Sequence, residues 1–418
     1  MSEVPVREVP VSGASIREVL PVHGASASGA PLRDLARRID AATPPDRDRA
    51  VDALRALAIL GVVLGHWLVT ALVIDGGALR GASPLQHLPR LAPISWLFQT
   101  LAVFFLVGGQ VGTSSHAAAR AHGTTYGKWL GARLSRLFRP VAAVLTLWTV
   151  AAVCMLASGT GLDTVTTLLD LVLSPLWFLL VFAALTAATP LVARLHPLWP
   201  LAVVLHIDLF RFGLGGPAWL GWTNVAAGWL VPYCLGAAWA RGEFRSRTSG
   251  WVLLTIGIAA TAGLVLFAGY PAAMVGVPGA PVSNLNPPTL AAVAFGLAQC
   301  GAALLLLGPL RRVLQRPMAW AAVALVNLSA MTVFLWHQTA LMAVTATGLL
   351  AGTALPGLHT VPDGSGWVLA RIAWLPVFAA ALLVCWGAFR TYEQRRPRKG
   401  SRVVRAHEPA REREMGRV

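Results

Sequence analysis

The chain alternates between long apolar runs and short polar links rich in arginine. Apolar runs recur near residues 51–74, 91–112, 139–158, 168–190, 197–212, 222–240, 251–270, 288–309, 320–346 and 366–390. Most come close to the roughly 20 residues that a helix needs to cross about 30 Å of hydrocarbon. The every-other-residue alternation of outer-membrane strands is absent. The expected fold class is an all-α membrane protein of about ten transmembrane helices.

The polar remainder sets the domains. Residues 1–46 are rich in Pro, Ser, Ala, Gly and Arg and carry no extended apolar face. They are expected to be a disordered tail with a short helix at "PLRDLARRID". Residues 47–392 form the transmembrane domain, and 393–418, "EQRRPRKGSRVVRAHEPAREREMGRV", a second charged tail. Between the runs, Arg47 and Arg49, then Arg120, Lys128, Arg133 and Arg136, Arg194, then Arg241, Arg245 and Arg247, then Arg311, Arg312 and Arg316, then Arg395 and Arg396 fall on one side. The other side holds Arg80, Arg90 and Arg211, and its loop "PAAMVGVPGAPVSNLNPP" holds no basic residue. The positive-inside rule places the basic side and both termini in the cytoplasm. The first apolar run begins only near residue 51, so it is expected to be an uncleaved span and not a signal peptide. The localisation expected is the plasma membrane, multi-pass.

Composition agrees. Of 418 residues, 56% are hydrophobic and 12% charged, where a soluble protein carries about 25% charged. The net charge is +16, and Lys128 and Lys399 are the only lysines. A coding bias toward arginine makes any one guanidinium weak evidence for function. Topology and attraction to anionic lipid account for most of them. Cys154, Cys234, Cys300 and Cys385 lie inside apolar runs with no zinc spacing, and are expected to be buried free thiols. No metal ligand set is present. The basic tails lack interleaved aromatic residues, so nucleic acid is not an expected partner. No phosphate-binding GxxxxGK[ST] loop, HExxH helix or GxSxG elbow appears.

The candidate chemistry starts at "LRALAILGVVLGH", residues 54–66, where an otherwise apolar segment carries Arg55 and His66. Eleven residues of helix make three turns plus about 20° and rise about 16 Å, so the two share one face. Arg55 sits at the cytoplasmic mouth and His66 near the bilayer midplane. Asp52 precedes Arg55 by one turn and can pair with it. Arg55 reads either as an interfacial anchor or as a binding group. His66 reads either as an interhelical hydrogen bonder or as a general base, since ionisable groups in a span are functional candidates by default. His337 is the second intramembrane histidine, beside Trp336 and Gln338 on a run with Asn327, Ser329 and Thr332. Its direction places it in the outer half of the membrane, as a hydrogen-bonding group or a contact for an acceptor from outside. Trp177 reads as an interfacial ring or a sugar platform. Asp208 and Arg211 stand at i, i+3 and would neutralise each other, or line an outer vestibule with His206. Asn284 and Asn286 suit a turn and a helix start, or acceptor contacts.

The ordered set of segments resembles the acyltransferase-3 family of integral-membrane O-acyltransferases. Arg-x10-His in the first run follows the acid of "DALRALAIL". "VFFLVGGQV" is similar to the family's Phe-Phe-x-x-Ser-Gly segment, with Gly108 in place of the serine. "ARLSRLFRPV" is similar to its Arg-x-x-Arg stretch before a proline, matched by Arg133, Arg136 and Pro140. "LWFL" at 176–179 and "VFLWHQ" at 333–338 resemble two further segments, although Pro175 stands where a polar residue is common before the first. The resemblance implies transfer of an acyl group, acetyl in the simplest case, from cytoplasmic acyl-CoA to a hydroxyl, often on a sugar. It implies His66 as general base, and Arg55, Arg133 and Arg136 as the acyl-CoA-binding cations. Arg139 adds a third cation to that stretch, where the family commonly has an apolar residue or proline. His337 and Trp336 are the acceptor-side candidates. Acyl-CoA enters as co-substrate, with no resident cofactor and no metal. A carbohydrate or other envelope or secreted hydroxyl is the partner, in a lipid bilayer. The alternative is a multispan transporter whose midplane His66 binds cargo or relays protons; no internal repeat is visible to support it.

Overall fold

The computed structural model describes residues 29–244 and 246–393 of the chain. The tail expectations for 1–28 and 394–418, and the positions of Arg245, Arg395 and Arg396, lie outside the described residues. The short helix expected at "PLRDLARRID" is present as α1 (Gly29–Ala41). It buries Ala36 and Ile39 against Trp320, Ala321 and Ala324. Its partner helix is held further by Trp320 Nε1 donating to Thr43 Oγ1 at 2.7 Å, with the Arg47 and Arg49 guanidiniums over the indole.

The helices of the apolar domain follow. They are α2 (Arg49–Val69), α3 (Leu101–Ala121), α4 (Tyr126–Ala157), α5 (Leu162–Leu173), α6 (Leu176–Ala187) and α7 (Leu198–Asp208). Then come α8 (Thr223–Ala240), α9 (Arg247–Phe267), α10 (Leu290–Val313), α11 (Pro317–Leu328), α12 (Ala330–Gly348) and α13 (Ser365–Glu393). Among the described residues, eight helical segments are long and apolar enough to cross a membrane. They are α2, α3 with its short lead-in from Pro89, α4, α5 with α6, α9, α10, α12 through Ala351, and α13. Two of the ten expected runs fall short. α7 spans 11 residues before a π turn at Leu209–Gly213. α8 has 18 residues but carries Asn224, Pro232 and Tyr233. It tolerates them because it sits inside the bundle: Asn224, Trp229 and Val231 through Ala238 are all buried. A helix surrounded by protein need not be apolar all round, as a lipid-facing one must.

The first run also ends earlier than its apolar length suggests. α2 stops at Val69, and "ALVID" forms β1 (Ala71–Asp75), paired antiparallel with β2 (Ala78–Ala82) in the register Ala71↔Ala82. Gly76 and Gly77 turn the hairpin with φ of 58° and 81°, the two-residue geometry that favours glycine. The runs near 168–190 and 320–346 are each two helices, interrupted at Ser174–Pro175 and at Ser329.

Close helix crossings place the site. A Cβ on Gly109 would collide with the Tyr233 carbonyl, and one on Gly236 with that of Leu106, so the α3 and α8 backbones touch through reciprocal glycines. Gly257 and Gly301 do the same for α9 and α10. The largest core cluster joins α2, α4, α12 and α13 through Val63, Trp67, Val144, Trp148, Leu341 and Phe378. Arginines gather at one end of the bundle: Arg311 meets Asp48 at 2.6 Å, Arg49 meets Asp40 at 2.6 Å and Arg47 meets Asp52 at 2.6 Å.

Candidate active site

α2 is unbroken from Asp48, whose carboxylate caps the Ala50 N–H, to the turn at Val69. The spacing between Arg55 and His66 therefore survives folding: one rod, one face, about 16 Å of rise. Gly61 and Gly65 lie between them. The methyl and hydroxyl of Thr100 crowd the first and the Phe98 Cβ the second, so the entry to α3 lies directly on this stretch of α2.

At the far end of the rod, His66 meets α12. Its ring centroid is 5.1 Å from that of His337, with the planes tilted at 49°. His66 Nδ1 is 3.1 Å from Gln338 Nε2. The orientation of that amide selects which ring nitrogen of His66 accepts a proton: Nε2 donating to Nδ1 leaves the hydrogen on the other nitrogen, and the amide turned over reverses this. His337 is fully buried. Its Nδ1 lies 2.6 Å from the Phe334 carbonyl and must donate to it, which leaves Nε2 as the acceptor nitrogen. That Nε2 and Gln338 Oε1 are buried without a hydrogen-bond partner. Such atoms are rare in native interiors and mark places where a ligand or water completes the network.

This end is fixed from outside. Trp67 Nε1 donates to the His337 carbonyl at 2.9 Å. Arg371 of α13, 1% exposed, donates through Nε to the Trp67 carbonyl at 2.6 Å, through Nη1 to Gly357 O at 2.9 Å, and through Nη2 to Thr70 O. A guanidinium on the final carbonyls of α2 satisfies the orphan acceptors of the helix and meets the negative end of its dipole. His66 thus sits one residue before a clamped backbone.

At the other end, Arg55 is tied down on two sides. Nη2 reaches Asp52 Oδ1 at 3.3 Å, and Nε donates to Asn327 Oδ1 at 2.7 Å. Asn327 Nδ2 in turn donates to the Asp52 carbonyl at 2.7 Å. The break at Ser329 lets α11 depart from the axis of α12 and bring Asn327 to this place. Asp52 also takes Arg47 Nε at 2.6 Å. Arg133 of α4 donates to Ser115 Oγ and to Val111 O (3.3 Å) on α3, and its guanidinium stands over Trp129 at 5.2 Å. Arg136 and Arg55 both bear on Arg133 electrostatically, as does Tyr233 of α8. Arg133 and Arg136 of α4 and Arg55 of α2 thus form a cationic group at one end of the bundle, with Asp52 pairing Arg55 within it.

Residues 48–390 match the family described as "Acyltransferase domain", acyltransferase-3. The chain belongs to the acyltransferase-3 family. It is an acyltransferase that acts on acceptors other than amino-acyl groups, and a multi-pass membrane protein. Neither a curated protein nor a solved structure matches the chain significantly.

The remaining candidate residues fall as follows. Gly108, in place of the family serine, lies under the Phe182 ring, which a Cβ would strike. Trp336 is 1% exposed and stacked on Phe389 with centroids 3.7 Å apart, so its ring packs against α13. Trp177 packs beside Trp229. Asp208 is fully buried and meets more than Arg211. Asn224 Nδ2 (2.9 Å), Tyr270 OH (3.1 Å) and Leu290 N (2.6 Å) all donate to it, while Arg211 stands 3.8 Å away. Burial raises the Tyr270 phenol above its usual range, and the neighbouring Asp208 charge adds to this. Asn284 organises its loop, donating to Pro271 O and Ala273 O and accepting from Thr289. Of the cysteines, Cys234 and Cys300 are buried, Cys385 is partly so, and Cys154 is exposed on the bundle surface. Sequence reasoning did not single out Arg371 or assign Asn327 a role. Both carry the same signal as His66, a polar group within an apolar run.

Proposed function

We propose that this acyltransferase moves an acyl group, acetyl in the simplest case, from cytoplasmic acyl-CoA to a hydroxyl of a carbohydrate or other envelope or secreted acceptor. One observation carries the reading. The helix that holds Arg55 in the cationic group also holds His66 beside a histidine with an unpartnered buried nitrogen. Phosphates of the donor bind at Arg55, Arg133 and Arg136, whose planar forks suit phosphate oxygens. The thin, largely neutral pantetheine arm runs along α2. His66 takes the proton from the acceptor hydroxyl as its oxygen attacks the thioester carbonyl. The carbon–sulfur bond breaks and coenzyme A leaves as thiolate, to be protonated to the thiol. Gln338, with its amide turned so that Oε1 accepts from Nδ1–H, leaves Nε2 of His66 as the proton acceptor, and His337 contacts the acceptor side.

α7 and α8 complete a set of ten spans in the plasma membrane, with both termini and the guanidinium cluster in the cytoplasm. Supporting this, α8 is packed among α3, α7 and α10, and an even number of spans agrees with the one-sided arginines. The test is incubation of the purified protein with acetyl-CoA and crude cell-envelope extract, following free thiol. Release of thiol with label appearing in the extract is expected. A transporter would leave the thioester intact, and that result would remove the proposal.

A further inference from the structure

α4 presents Tyr126, Trp129, Arg133 and Arg136 at i, i+3, i+7 and i+10. Residues at that spacing lie along one stripe of a helix, here over about 15 Å. The outer part of the stripe is aromatic and the inner part cationic. Tyr126 is 43% exposed, with its hydroxyl donating to Ala187 O at 2.6 Å. Trp129 is 7% exposed, with its indole N–H donating to Ser115 Oγ at 3.1 Å. His116 of α3 meets both edge-on, at 5.0 Å from Trp129 and 6.2 Å from Tyr126. The Arg133 guanidinium over Trp129 makes the ring cluster and the cation cluster continuous.

An interfacial aromatic belt would turn its rings to lipid and its polar tips to water. Here Trp129 is buried and both polar tips bond to protein. The rings are thereby fixed in place, with Tyr126 left partly exposed beside Trp129. A flat π-face beside a row of guanidiniums matches a purine nucleotide: base on ring, phosphates on cations.

We infer that Tyr126, held in place by Trp129 and His116, offers a stacking face for the adenine ring of the donor. The inference rests on the acyl-CoA reading above. It gives the donor a direction. The adenine lies at the start of α4, farthest from the membrane. The phosphates lie on Arg133 and Arg136, about two and three turns deeper. The thioester end points toward α2 and His66.

The test compares CoA with phosphopantetheine, which keeps the arm and one phosphate but lacks the adenine nucleotide. Affinities are measured by calorimetry on the detergent-purified full chain, with size-exclusion profiles checking each variant. Wild type is expected to favour CoA. Tyr126→Ala is expected to shrink that preference about tenfold, the scale of one base–aromatic stack. Tyr126→Phe, which keeps the ring, is expected to retain it. Arg136→Ala is expected to weaken both ligands. If Tyr126→Ala keeps the full preference, or weakens both ligands equally, the adenine platform is wrong while the donor reading stands. If wild type binds neither ligand, the donor reading fails and the platform with it.

Discussion

The two ends of α2 are built on opposite principles. Around His66, the ties are hydrogen bonds to side-chain amide and backbone carbonyl groups, with the buried Arg371 the only charge among them. Gln338 meets the ring, Trp67 meets the His337 backbone, and Arg371 grips the Trp67 and Thr70 carbonyls. Around Arg55, charge dominates, with Arg133 and Arg136 in the same field and Asp52 shared between Arg55 and Arg47. The histidine end is already rigid and needs little from a ligand beyond contact with an open nitrogen. The guanidinium end holds a cationic group that suits a polyanion. In the proposed mechanism the same helix separates two tasks: holding the charged carrier at Arg55 and taking a proton at His66.

That separation can be broken one side at a time. The largest effect is expected from His66→Ala, which should lower transfer by about 10²–10⁴-fold while CoA affinity, measured by calorimetry, stays near wild type. A loss of affinity equal to the loss of turnover would mean that the two ends are not separate. Next is Arg136→Ala, expected to raise the KM for acetyl-CoA by about tenfold or more, as for a lost charge-assisted contact, with kcat little changed. Steady-state thiol release reads both constants. A smaller effect is expected from Asn327→Ala. It leaves Arg55 in place but removes its fixed acceptor, so KM should rise by only a few-fold, in line with one hydrogen bond; a fall in kcat alone would place Asn327 with the histidine end. The smallest is Trp336→Phe, which preserves the stack on Phe389 and should leave acceptor and donor KM unchanged. A change in acceptor KM would place Trp336 on the acceptor side.

Much of this was legible in the residues. The apolar runs mark the spans because lipid imposes length and composition together. α8 falls short of that length and apolarity and packs mostly against protein, with Asn224 and Tyr233 buried inside the bundle. The Arg55–His66 register was legible because helix geometry fixes it. The meeting of His66 with His337 was not. It depends on how α2 and α12 cross, and the run containing His337 pointed to the outer half of the membrane. Asn327 at Arg55 was hidden in the same way, since the break at Ser329 that delivers it carries no proline. Arg371 was visible as a charge in an apolar run, but its role as a clamp on α2 needed the helix end and the side chain in one view.

The most direct measurement of the central claim is thiol release at rising acetyl-CoA for wild type, Arg136→Ala and His66→Ala in parallel. The account predicts that saturating donor restores Arg136→Ala to near the wild-type rate and does nothing for His66→Ala. Recovery of His66→Ala at high donor would contradict it, because His66 would then be a binding group and not the base.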